Sequence, residues 1–252
     1  ERVLAALRDN MPHLKARMDE NPLSAPAIDP ELLKRIYDEM VTDAGAEVLF
    51  HSTLTSVEMS AEGRPETLIA ANKSGLCAFG AKVYVDCTGD GDLATWAGAE
   101  VLKGDESGGM QPATHCFVIS NIDEELLAGG PGIHFDDPDS PVWKAMRSDK
   151  YPLIEELHSC LMKIAPGTYG FNAGHIFGVD NTDPESTSEA LLTGRQMASQ
   201  YIRAFKEYHP AFAAATLSAT GSLLGVRETR RILGDHLLSL DDYEAARTFP
   251  DE

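Results

Sequence analysis

No stretch of the sequence approaches the roughly 20 consecutive apolar residues that a bilayer-crossing helix needs, and no low-complexity tract or internal repeat interrupts it. Cysteine is scarce: Cys77, Cys87, Cys116 and Cys160 stand far apart, with no CxxC pair. This spacing points to neither a zinc site nor a disulfide framework. With no leader-like pattern at the start, a reducing cytoplasm is the expected compartment. Positive charge is also in short supply. Lys and Arg number 21 against 40 Asp and Glu, a formal charge of -19, which repels nucleic-acid phosphates and anionic membrane surfaces. Neither nucleic acid nor membrane is an expected partner, and a homo-oligomer is possible.

What remains is ordinary globular composition: 252 residues, 43% hydrophobic and 24% charged, enough to bury about three quarters of the surface an unfolded chain exposes. Val3, Leu4, Leu7, Met11, Leu14 and Met18 recur at helical spacing, with Pro12 set to break or kink the run. Asp29 is placed to cap a helix with Pro30 at its first position; Leu32, Leu33, Ile36, Tyr37, Met40 and Val41 form its stripe and Gly45 its stop. The apolar run at 47–51 reads as a strand buried on both faces. Runs at 53–59, 67–71 and 76–85 read as an antiparallel meander inserted into a parallel sheet, with the last strand, 82–86, leading into a glycine-rich turn. Beyond residue 104 the texture turns loop-rich, with strands at 115–120 and 171–179. A long helix follows, announced by Asp183-Pro184-Glu185 and by a Ser186-x-x-Glu189 capping box. The chain starts at Glu1 and opens directly into helical pattern, so the expectation is a portion of a longer polypeptide.

The strongest local feature is VYVDCTGDGDLATWAGA at 83–99. An apolar strand that breaks into Thr-Gly-Asp-Gly-Asp before a helix offers backbone N–H groups and small residues at the carboxyl edge of a sheet, where α/β proteins bind nucleotides. The alternative is a plain strand-to-helix turn made by Gly89 and Gly91, with Asp92 as N-cap. A cation site built on Asp86, Asp90 and Asp92 fails on spacing: a calcium loop needs Asp or Asn where Thr88 stands and Glu where Ala97 stands. No metal is expected.

The ordered segments GAEVLFHSTLTSVEM (45–59), ANKSG (71–75), AKVYVDCTGDGDLATWAGAE (81–100), GVDNTDPES (178–186) and GVRETRRILGDHLLSLDDY (225–243) together resemble the FAD-dependent oxidoreductase family, whose members show an ATGDGD turn and a later RESRRI.GD segment. The resemblance covers nearly the whole chain from Asp29 onward. It implies an incomplete α/β FAD/NAD(P)-binding domain of the glutathione-reductase-like kind, with an inserted β-meander, plus an α+β substrate domain. Its expected parts are residues 1–103 for the FAD-binding domain, 104–220 for the substrate domain and 221–252 for the return segment. The family's GxGxxG pyrophosphate turn and its closing segment have no counterpart in these residues, so the expectation is of a fragment that binds FAD weakly or not at all by itself.

By the same resemblance Leu54 matches the position whose backbone lies beside the adenine. Cys87, Thr88 and Gly89 match the ATG turn with Cys for Ala, and Asp90 and Gly91 complete it near the cofactor. Arg227 and Arg230, in the segment where Thr229 replaces the commoner Ser, are the leading catalytic candidates, because an arginine beside a flavin stabilises negative charge or grips an anionic substrate. An ion-pair network with Glu228 and Asp235 is the equal alternative. His175 is a third candidate, since imidazole exchanges protons near neutral pH; a structural role on its strand is the alternative. Cys116 reads as a core residue and Trp96 as helix packing. The function expected is hydride transfer between FAD and a small-molecule substrate. A cofactor-free binding module on the same scaffold, or a hydrolase using a metal at residues 86–92, are the competing readings.

Overall fold

A computed structural model describes residues 2–11, 15, 28–133 and 137–249. The chain divides into two compact units, Glu1–Val48 with Pro112–Arg227, and Leu49–Gln111 with Glu228–Glu252. The opening helices thus group with the middle of the chain, whereas the expected division ran at 103/104 and 220/221.

In the first unit, helix α1 (Arg2–Asn10) stops just before the expected break; Pro12, Leu14 and Met18 lie outside the described residues. Helix α2 (Pro30–Asp43) starts as expected: the Asp29 carboxylate accepts from the Glu31 amide at 2.9 Å, and Gly45, at φ 77°, ends it. Leu7, Met11, Leu32 and Ile36 close on one another and on Met162, which comes from far along the chain. That contact is why these helices belong with the middle of the sequence. Tyr37 and Val41 complete the predicted stripe in sequence but stay exposed.

A departure comes where the chain passes from the first unit to the second. Residues 46–49 form no strand, and Phe50 and His51 make a turn with His51 at φ 53°. The meander follows as expected, in order β1 (Thr53–Met59), β2 (Pro65–Asn72), β3 (Gly75–Gly80), all antiparallel. The expected strand at 82–86 is absent as well: Val83 and Val85 are 76% and 78% exposed. A strand exists only through a neighbour's ladder, and no parallel pair occurs among the described residues. Both segments were predicted as parallel strands, and neither has such a neighbour here. After the glycine-rich turn come helix α3 (Asp92–Trp96) and β4 (Val101–Lys103).

The chain then returns to the first unit with β5 (Ala113–Thr114), β6 (Phe117–Ser120), α4 (Glu124–Gly129), α5 (Pro141–Met146), β7 (Ser159–Ala165), β8 (Thr168–Ala173), β9 (His175–Ile176), the 25-residue α6 (Pro184–Tyr208) and β10 (Thr216–Thr220). The Asp183 carboxylate caps α6 on the Glu185 amide, with Pro184 in the first turn. Ser186 lies already inside the helix and accepts from the Asp180 amide instead of serving as a capping-box residue. Strands pair in order β10-β6-β8-β7, and residues alternate across this sheet. Phe117, Ile119, Phe171 and Ala173 face the core with Ala198, Tyr201, Ile202, Phe205 and Phe212; the Phe117 and Phe171 rings stack at 5.2 Å. Each large ring buried this way contributes roughly 1.5–3 kcal/mol. The opposite face, with Cys116, Val118, Cys160, Met162 and Asn172, is only partly covered. The chain ends its described part with β11 (Arg230–Ile232), paired to β4, and α7 (Leu240–Glu244) in the second unit. The architecture is mixed α/β, with every sheet antiparallel among the described residues.

Candidate functional site

The turn at 86–92 is organised by Asp86. Its carboxylate accepts from the Thr88 amide at 2.9 Å, the Thr88 hydroxyl at 2.7 Å and the Ala94 amide at 2.9 Å. The Thr88 hydroxyl in turn accepts from the Asp92 amide at 2.7 Å. Desolvation raises the Asp86 carboxyl, but these hydrogen bonds from Thr88, Ala94 and Leu93 outweigh it and hold the group below the ordinary carboxylate range. The amides of Thr88 and of the start of α3, at Asp92 and Ala94, are therefore filled from within: Asp86 is the anion at the start of α3. Gly91 sits at φ 60°, and a Cβ there would lie 3.0 Å from Ile232 Cδ1, so a side chain would be both strained and crowded.

Ile232 brings the second motif to the first. The Arg230 amide donates to buried Asp90 at 3.4 Å, and its guanidinium pairs with Asp92. Arg231 pairs with Glu228 and donates to the Gly104 carbonyl at 2.8 Å. Two segments far apart in sequence thus meet in one unit, through contacts that the equal alternative, an ion-pair network, described in kind. Leu54 lies in the same unit, half-buried on β1, which packs against α3. Trp96, expected to pack, is 42% exposed.

Whether these residues suit a flavin nucleotide turns on the outer surface of the turn. Cys87, Thr88 and Gly89 are exposed, and a Cβ on Gly89 would meet nothing within 4 Å, so the backbone there is open to close approach. With the helix-start amides filled, this surface suits contact along the nucleotide's edge and not a grip on its phosphates.

Arg227 and His175 belong to the other unit. Arg227 is exposed and makes no ion pair or hydrogen bond among the described residues. Surrounding protein atoms partly desolvate the thiol of Cys116 and push it up, against its own backbone hydrogen bond and the smaller pull of the Arg227 charge, although the residue keeps an exposed surface. Cys116, read as core, is exposed and stands just before β6.

His175 is held on β9 by Glu156: its amide donates to Oε1 at 2.8 Å, and ring Nδ1 lies 2.9–3.0 Å from both carboxylate oxygens. The other ring nitrogen, Nε2, is buried with no hydrogen bond among the described residues. The His158 ring stacks on it at 4.6 Å. Burial, and then the Glu156 charge, pushes the Tyr201 phenol well above its usual range, and its hydroxyl also lacks a hydrogen-bond partner among the described residues. Glu156, His158 and Tyr201 carried no sequence signal, because only the fold brings them to His175. Among the described residues no group of three or more His, Cys, Asp or Glu is placed to hold a metal, and no helix is long and apolar enough to cross a membrane.

A turn closed by a distant arginine segment, in a mixed α/β chain, agrees with comparison against protein families: the model for FAD dependent oxidoreductases matches residues 1–252. The chain belongs to the FAD dependent oxidoreductase family. No curated protein and no solved structure gives a match.

Proposed function

We propose that the protein is a flavin-dependent oxidoreductase in which the unit carrying residues 86–92 contacts the nucleotide and the unit carrying Arg227 and His175 handles a small-molecule substrate. The observation that carries this reading is the meeting of the Cys87–Asp92 turn with the Arg230–Ile232 segment through Asp90, Asp92 and Gly91. When bound, FAD supplies hydride transfer. The chain's own residues do the rest. Leu54, Cys87, Thr88 and Gly89 present the surface for the nucleotide, and Asp90 and Gly91 shape it. Arg230 is a positioning residue that fixes the turn. Arg227 attracts the substrate's negative charge. His175, held by Glu156, is the candidate acid–base residue, reached by substrate only when its buried Nε2 becomes accessible. Four free cysteines suit a reducing compartment, and we place the protein in the cytoplasm.

The test is the visible spectrum of the full-length protein purified without added flavin. Flavin absorption bands, lost on adding a reductant, are expected; a colourless protein that takes up no FAD overturns the reading. One observation favours a second reading, a binding module without cofactor: the helix-start amides are already occupied by Asp86 and Thr88. On that reading the protein stays colourless at saturating FAD.

A further inference from the structure

His209 stands in the first unit where α6 ends and a single 3₁₀ turn (Pro210–Phe212) begins. It is 1% exposed, with its ring edge-on to Phe212 at 5.5 Å. Both ring nitrogens are used. Nδ1 accepts from the Ala211 amide at 3.2 Å, capping the turn, and Nε2 lies 3.0 Å from the Pro131 carbonyl oxygen. A backbone amide donates and a carbonyl accepts, so these two partners admit one form of the ring: neutral, with its proton on Nε2. Gly130 makes room for that approach, since a Cβ there would lie 2.7 Å from Nε2.

The ring clasps three parts of the unit together. Its own amide donates to the Phe205 carbonyl at the end of α6 at 2.9 Å, its Nδ1 holds the turn, and its Nε2 holds the stretch that follows α4. Two residues beyond Pro131, Ile133 is 5% exposed and belongs to the core that also contains Ala211 and Phe212. The start of α4 is fastened to the same turn without a titratable group, by the Asp123 amide donating to the Ala211 carbonyl at 3.0 Å. The end of α4 is instead fastened through an imidazole.

The carboxylates nearby are engaged elsewhere. Glu207 of α6 is taken by Lys150 and by the Tyr151 hydroxyl at 2.7 Å, and Glu124 of α4 by Lys163 at 2.7 Å. Asp123 caps α4 on the Leu126 amide at 3.0 Å, and Asp137 accepts from the Gly132 amide at 2.7 Å. Lys206 and Tyr208 complete the last turn of α6, Glu125 lies in the first turn of α4, and the 3₁₀ turn itself carries no charged residue. Burial lowers the affinity of the ring for a proton. The bond to the Pro131 carbonyl works the other way, the Lys144 charge of α5 adds to the lowering, and the ring ends below the ordinary histidine range.

We propose that His209 is an acid-sensitive latch: a proton arriving at Nδ1 sets two N–H donors face to face, the ring leaves its seat, and the 130–133 stretch comes away from the core while the start of α4 stays fastened. The latch needs no flavin and rests on neither Arg227 nor His175.

Because the folded value is depressed, the contribution of the latch is complete above the ordinary value of 6.5 and is lost as pH falls through the folded one. The test follows the ring nitrogens of His209 by long-range proton–nitrogen NMR in the full-length protein, together with hydrogen-exchange protection of residues 126–133. At neutral pH the ring is expected to be neutral with its proton on Nε2. Protection of 126–133, corrected for the exchange rate of an unstructured chain, should fall by up to about tenfold per pH unit below 6.5, in step with the titration of His209. His209→Gln offers a donor to Pro131 but takes up no proton, and the pH step should vanish. A step that persists in His209→Gln, or a proton on Nδ1 of the neutral ring, overturns the proposal. Circular dichroism checks that the variant folds. Should it not, the unaltered protein decides: loss of protection that does not follow the titration of His209 itself sinks the latch.

Discussion

Asp86 carries more of the turn than either glycine. A carboxylate that receives two amides and a hydroxyl at the start of a helix does the work of an N-cap, and losing such a group costs about 1 kcal/mol. Asp86→Asn is expected to lower stability by roughly that amount at pH 7, measured by urea unfolding. The pH dependence has a definite sign. The folded Asp86 carboxyl lies below its ordinary value of 3.8, so its contribution is present above that value and is lost as pH falls through the folded one. The gap between Asp86 and its Asn variant should therefore close below about pH 4; a gap that stays constant to pH 3 would show that the charge plays no part. The sequence exposed the cluster of Asp86, Asp90 and Asp92 but not its wiring. Which amide each carboxylate meets is decided by backbone path, and for Asp90 and Asp92 by a segment that returns much later in the chain. His175 shows the same limit: the residue was visible, its Glu156 partner was not.

Elements closed by their own neighbours were the legible ones. Helices α2 and α6 carry their stop and start signals within a few residues, as Asp29-Pro30 and Asp183-Pro184 show, and both begin where those signals place them. The meander was legible for the same reason, since short turns such as Lys73-Ser74 join strands that pair with each other. The runs at 47–51 and 82–86 look as apolar as any strand, yet strand formation depends on a partner that no local pattern encodes. Within α6 one residue shows packing overruling propensity. Gly194 lies mid-helix, where alanine would ordinarily gain about 1 kcal/mol. A Cβ there would come within 2.4 Å of the His115 Cβ and 2.7 Å of its Nδ1, and His115 is 2% exposed with no room to retreat. Overpacking of this kind costs roughly 1–3 kcal/mol, so Gly194→Ala is expected to lower the melting temperature; an increase would mean that His115 can move aside.

Across the whole molecule the net charge of -19 works against compactness, because like charges repel over a distance set by salt. Raising sodium chloride from about 10 mM to about 150 mM shortens that distance from roughly 30 Å to roughly 8 Å. Thermal unfolding is expected to shift upward over this range, and a downward shift would mean that attractive pairs such as Arg230–Asp92 outweigh the general repulsion. The mixed α/β character could be read from alternating helical and strand patterns. The grouping of Glu1–Val48 with the middle of the chain could not. It depends on apolar helix faces meeting Met162, a contact between positions that share no local pattern.

The left-handed backbone at Gly91, with Ile232 pressed close above it, ties the fate of two distant positions together. A larger residue at 91 would need both a smaller one at 232 and a tolerance for unfavourable dihedrals, and the second condition has no remedy at 232. Descent can therefore trim the isoleucine while the glycine stays, but not the reverse.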